Sequence, residues 1–279
     1  MPAWGLLSRE RMTTRWLPVL GLTLLATACG DTDPPEPVAA RIDLRAALAA
    51  ADASPVGVAI DAAGARLVLD EQAGLYRVAA DGQATLVRAL AALPDPGVQI
   101  RPPFTDLVAL GDGRFALTAI GDGFLLDLAA DTMRQYFCYE PGGFPEDQEQ
   151  RTAAIAYDAA AGRLYAQPRT FDVDGNFLRT EVASYDSTTG VDLSWRALPG
   201  EFAAGGMVAP GGDVLLLGAG RQLHRYDFAA FALAPVEDLG RFGVTSIDGL
   251  AIDPVARTLV VVDRSRDELI EIALADLAL

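Results

Sequence analysis

Five stretches of this chain repeat one grammar, and that repeat constrains the fold more than any other feature. "VGVAIDAAGARLVLDEQAGLYRVAADGQATLVRAL" begins at Val56 and "TDLVALGDGRFALTAIGDGFLLDLAADTMRQYFCY" at Thr105, with further units from Thr152, Ala204 and Ile247. Each opens with a small, apolar strand and a tight turn carrying Asp, Gly or Pro. A second strand follows, often led by Arg and rich in Leu and Val. The third alternates apolar and polar residues, as in "LYRVAAD", "FLLDLAAD" and "LIEIALAD". Such alternation marks half-buried strands, and the Gly/Asp clusters between them mark hairpin turns.

Repeat starts lie roughly 40–50 residues apart, the period of four-stranded propeller blades. The expected fold is therefore all-β, a propeller of five blades over residues 40–279. A sixth blade fits only if the long third unit hides an extra hairpin. The fifth unit reaches Leu279 before a fourth strand can form. In "ARIDLRAAL" (Ala40 to Leu48), Ile42, Leu44, Ala46 and Leu48 alternate. That segment is expected to complete the last blade as a strand and remove two exposed sheet edges. A short Ala-rich helix is the competing reading of the same residues.

The first 28 residues carry a different signal. Arg9, Arg11 and Arg15 precede "LPVLGLTLLATA", Leu17 to Ala28, an uncharged run too short for the roughly 20 residues a membrane-spanning helix needs. Basic head, short apolar middle and small exit residues read as a secretory signal. Ala26-Thr27-Ala28 then meets Cys29, an arrangement that resembles the bacterial lipobox, although Ala26 stands where that motif prefers Leu. The resemblance implies an acylated Cys29 as the mature N-terminus and a lipid anchor. Gly30 directly after the cysteine leans towards the outer membrane. An ordinary cleavage after Ala28 would leave the same cysteine incidental. Residues 29–39, with "GDTDPPEPV" at their heart, read as an extended acidic tether.

Charge removes several classes of partner. The net charge is −16, and all 22 basic residues are Arg. Nucleic acid and anionic lipid surfaces both require basic patches, so neither is an expected partner. Nucleophilic catalysis is poorly supplied, because His224 is the only histidine and reads as a strand surface residue in "RQLHRYDF". With Cys29 acylated, Cys138 has no thiol to pair with.

Carboxylates are plentiful but mostly read as turn residues. Asp61, Asp158 and Asp253 each close an inner strand before a turn and should hydrogen-bond local backbone. In "FDVDGNF", Asp172, Asp174 and Asn176 alternate, but Gly175 falls at position four and not six of a calcium loop. Asp-Gly there predicts a hairpin turn.

"SIDGLAIDPVARTLVVVD", Ser246 to Asp263, resembles the strand-turn-strand signature of gluconolactonase and regucalcin-like propellers, and more loosely of NHL-type blades. In that family the Asp of an Asp-Gly pair at this place helps hold one divalent metal, and Asp248 matches it. The family's other ligands, a Glu from the first blade and later Asn residues, are replaced by Val56-Gly57 and Gly205-Gly206. Asp106 and Glu201 are the substitute oxygen ligands, giving at most a weak calcium or magnesium site. The expectation is thus a non-enzymatic envelope module that binds a protein or small molecule and needs no cofactor. The alternative is a metal-dependent, lactonase-like hydrolase around Asp248. The stretch Tyr139 to Gln150 is a long loop of unassigned role.

Overall fold

The second strand of each repeat is the most apolar, and the structure buries it on both faces. The computed structural model describes residues 36, 38–51, 53–72, 74–90, 103–119, 121–138 and 147–279. The expected signal segment, Cys29, most of the tether and most of the 139–150 loop lie outside these residues. The described chain opens with β1 (Ala40–Asp43) and a short helix α1 (Arg45–Ala51). The first blade holds β2 (Pro55–Ile60), β3 (Arg66–Asp70), β4 (Gly74–Val78) and β5 (Ala84–Ala89). The second holds β6 (Phe104–Gly111), β7 (Arg114–Ala119), β8 (Asp122–Asp127) and β9 (Thr132–Cys138). In the third are β10 (Gln148–Asp158), β11 (Arg163–Asp172), β12 (Phe177–Asp186) and β13 (Asp192–Ala197). The fourth comprises β14 (Gly206–Gly211), β15 (Val214–Ala219), β16 (Gln222–Asp227) and β17 (Ala232–Asp238). The fifth takes β18 (Gly249–Asp253), β19 (Thr258–Asp263) and β20 (Glu268–Ala273) from the C-terminal end of the chain and β1 from the other, in the order β1-β20-β19-β18.

The protein is therefore an all-β propeller of five four-stranded antiparallel blades. No sixth blade hides in the third unit. Its length goes into strands of 11, 10 and 10 residues in β10, β11 and β12, joined by the same hairpins as elsewhere.

Alternate residues of each second strand face opposite neighbours. Leu259 and Val261 of β19 pack with Val208 and Leu216 of the fourth blade, while Val260 and Val262 pack with Val58 and Val68 of the first. Phe115 and Leu117 of β7 meet Leu67 and Leu69 of the first blade, and Ala116 meets Leu164 and Ala166 of the third. Tyr165 of β11 packs with Leu215 and Leu217 of β15. Five apolar clusters thus fill five blade interfaces, each fully buried large side chain contributing about 1.5–3 kcal/mol. Hairpins need backbone that turns the right way. Asp112-Gly113 between β6 and β7 takes φ of 53° and 72°, the pair of positive values a type I′ turn requires.

Closure of the ring is more economical than the alternation of Ala40 to Leu48 suggests. Only Ala40–Asp43 forms the fourth strand, pairing Ile42 with Leu269 and Asp43 with Glu268. From Arg45 the chain turns into α1, Asp43 Oδ1 accepting the Arg45 N–H at 2.8 Å. The competing helical reading holds for the second half of the segment. Leu44 and Leu48 still reach the interface between the fifth and first blades, now at helical spacing. Among the described residues, no helix is long and apolar enough to cross a membrane.

Ile42, 3% exposed, is the one side chain of β1 in that interface core. We expect Ile42→Ala to lower the unfolding free energy by about 2–5 kcal/mol in urea titrations, the range for deleting a well-packed Ile side chain. A change below 0.5 kcal/mol, the size of a surface substitution, would mean that the ring does not depend on β1.

Candidate functional site

The first strands of the five blades neighbour one another in cyclic order around the axis, so their two ends define two distinct environments. At their starting ends the backbones come close together. A Cβ on Gly57 would stand 2.7 Å from Asp106 Oδ1, one on Gly249 2.8 Å from Gly57 Cα, and one on Gly206 2.6 Å from Leu250 N. Glycine at these places permits an approach that any side chain would block.

Asp106 sits inside this constriction with no exposed surface. Oδ1 accepts the N–H of Leu107 at 2.9 Å, and Oδ2 accepts the N–H of Ile155 at 3.0 Å, where both β6 and β10 break register. The carboxyl therefore ties the second blade to the third. Burial pushes its pKa well above the ordinary carboxylate value, against the lowering pull of the two amides.

Asp248 lies half-buried just before β18 and turns back into its own blade. Its Oδ2 accepts Arg264 N–H at 3.0 Å and the Ser246 hydroxyl at 2.5 Å. Neighbouring Asp263, fully buried, collects the Thr245 amide at 2.7 Å and the hydroxyls of Thr245 and Ser265. Burial raises the Asp263 carboxyl, but those donors outweigh it and hold the pKa below the usual value. Glu201 is exposed in the connection between β13 and β14, where it supports the charge of Arg169. The structure does not bring Asp106, Asp248 and Glu201 together. Among the described residues, no three His, Cys, Asp or Glu side chains gather as metal ligands do. Asp106 is occupied by two backbone amides and Asp248 by its own turn, so this donor set does not converge as the divalent site implied by the family resemblance would require.

The turn readings hold. Asp61 Oδ1 accepts Ala63 and Ala65 N–H at 2.9 and 2.8 Å, and Asp158 and Asp253 do the same for their own turns. Asp172 accepts from Asp174 N and from the amide and side chain of Asn176, closing a β11–β12 hairpin with Gly175 at φ 82°. His224 lies half-buried on β16 with its ring edge-on to Phe202, 4.9 Å between centroids, and burial lowers its pKa. Cys138 ends β9.

The finishing ends of the inner strands surround a cavity of about 600 Å³. Every blade contributes to its wall: Ile60, Leu110, Tyr157, Ala209 and Ile252 come one from each first strand. Apart from the Tyr157 hydroxyl, its polar side chains are Asp61 and Asp158, whose Oδ1 atoms are spent on turn amides. The sequence did carry a sign of this site. "VGVAI" and "LVALG" stay apolar to their ends, and "GLAID" does so up to its closing turn residue Asp253, whereas a strand end facing water would alternate.

The pH dependence of stability should report Asp106. Its raised pKa means that the folded state keeps a proton the unfolded chain releases above 3.8, so stability falls as pH rises from there towards the raised value. Asp106→Asn removes this titration, and it sets an NH2 group against one of two donor amides, at a cost of about 1–3 kcal/mol. We expect the variant to be less stable at pH 4, the deficit narrowing on the way to pH 8 in urea titrations. Parallel profiles would refute it.

No family model matches the sequence, and no curated protein matches it. Solved structures do. A gluconolactonase from Xanthomonas campestris is 14% identical with a TM-score of 0.51, the match covering 77% of this chain and 71% of that one. Regucalcin from Agrobacterium tumefaciens strain C58, a calcium-binding protein, is 14% identical with a TM-score of 0.48, over 85% of this chain and 94% of that one. At such identity the likeness to the gluconolactonase is one of fold, and the fold it shows is the β-propeller.

Proposed function

We propose that the protein is a non-enzymatic binding module of the bacterial envelope, which takes an apolar group of a small molecule or protein ligand into its axial cavity. The cavity carries this reading. Its volume lies within the roughly 300–1,000 Å³ of small-ligand sites, and its wall is apolar with a few polar groups at the mouth. Five strands of a closed ring hold that wall, so the site is formed before the ligand arrives and little ordering cost opposes binding. Lactone hydrolysis, the activity named for the gluconolactonase of similar fold, is the second reading. It rests on the fold, and the carboxylates that would serve it do not converge.

Attachment to the envelope completes the proposal. Cys29 carries the lipid and residues 30–39 space the ring from the membrane, outer by the Gly30 criterion. Two or more acyl chains make such anchoring stable.

Two experiments test these readings. Nile red, a neutral apolar dye, should bind the purified protein saturably, and Ala209→Trp should weaken its affinity about tenfold or more while the circular dichroism spectrum is unchanged. Equal binding by the variant would remove the cavity from the argument. Cys29→Ser should move the protein from the membrane fraction to the soluble fraction on cell fractionation, and retention in the membrane would overturn the anchor.

A further inference from the structure

The long third blade carries an arginine that lacks an ion-pair partner among the described residues. Arg169 of β11 is half-buried, and its Nε is buried without a hydrogen-bond partner. Among the described residues it forms no ion pair, in a chain where acids outnumber basic residues 38 to 22. Its neighbours are rings: the guanidinium carbon lies 5.1 Å from the Phe171 centroid and 5.8 Å from that of Phe177. Burial lowers its pKa, Glu201 opposes that at longer range, and nearby Arg151 lowers it further.

The register shows what stands beside it. Arg169 pairs with Arg151 of β10 on one side and with Thr180 of β12 on the other, so the three share a row across the sheet. Thr180 is 1% exposed, and its Oγ1 has no partner. Arg151 lies over the same Phe171 ring at 4.9 Å and holds Glu149 through two bonds of 3.0 Å. Two cations thus lie against one ring, and among the described residues Glu149 pairs with Arg151 alone of the two. Native structures rarely leave a buried guanidinium nitrogen and a buried hydroxyl side by side without partners.

We infer that this row is an oxyanion site, taking the carboxylate or phosphate group of a ligand between Arg169 and Thr180 with Arg151 at its edge. A guanidinium fork presents parallel N–H donors to such a group, and the stacked phenyl rings hold its plane in place. An oxyanion would satisfy the idle donors and screen the repulsion between the two arginines. Against a net charge of −16, general attraction for anions is ruled out, so any saturable binding must be local. The row lies at the starting end of β10, and the axial cavity at its finishing end. The two sites stand or fall independently.

The test is thermal unfolding of the full chain while phosphate or acetate replaces chloride at constant ionic strength. At least one oxyanion should raise the Tm saturably. Arg169→Gln should weaken the apparent affinity about tenfold or more, the loss of one charge-assisted contact. Thr180→Val keeps the charge and the volume and should weaken it several-fold. Arg163→Gln, whose guanidinium pairs with Asp213 at 3.0 Å elsewhere on the blade, should leave it unchanged. No saturable rise, or an equal rise in Arg169→Gln, overturns the site. A loss in Arg163→Gln as large as in Arg169→Gln overturns it too, because the effect would then be a general one. Where Arg169→Gln does not fold, Thr180→Val decides, and unchanged affinity counts against the proposal.

Discussion

No blade of this protein has a core of its own. Each second strand is apolar on both faces because each face belongs to a different neighbour, and the five clusters that hold the molecule together all lie between blades. A sheet taken alone would expose one apolar face to water on each side, so the stable unit is the closed ring. Closure in turn requires the fifth interface, and that interface is finished by Ile42, Leu44 and Leu48 from the opposite end of the chain. The axial constriction, the cavity and the third-blade row all presuppose this ring.

The same ring explains why Asp106, Asp248 and Glu201, the alternative metal ligands, do not converge. At Gly57, Gly206 and Gly249 the space a side chain would need is filled by backbone and, beside Gly57, by Asp106. Asp106 then serves as a strap between two blades, its oxygens taken up by amides on both. Asp248 is drawn the other way, into the hydroxyl-rich turn with Asp263. One end of the axis is thereby closed by peptide groups, and the other is left open and apolar. Two ends of one set of strands acquire opposite chemistry from the placement of a few glycines.

Much of the fold was legible from residues alone. The blades begin within a few residues of the repeat starts because alternation and Asp/Gly turns are local signals, and local signals survive in any tertiary setting. Asp61, Asp158, Asp172 and Asp253 behave as turn residues for the same reason. The division of Ala40–Leu48 into strand and helix was not legible, since Ile42, Leu44 and Leu48 satisfy both periods until the interface selects between them. Burial of Asp106 was equally hidden. Its neighbours Gly57 and Ile155 are distant in sequence, and only the ring brings them within reach. Idle donors such as those of Arg169 are likewise invisible until every partner has a position.

The placement of β1 has a mechanical consequence. It is the strand that locks the ring and, among the described residues, it is also the first strand that a pull on the N-terminal side of the chain would meet. Tension arriving at Ala39 passes directly into its N–H bond to Glu271 and then into the β1–β20 ladder. Arg41 spreads that load sideways, through Glu268 and the Phe242 carbonyl, and Arg45 through the Arg266 carbonyl. A ring pulled this way is loaded at its seam. A pull on this side of the chain is thus borne by the β1–β20 ladder of the fifth blade and by the Glu36 N–H bond to the Arg241 carbonyl.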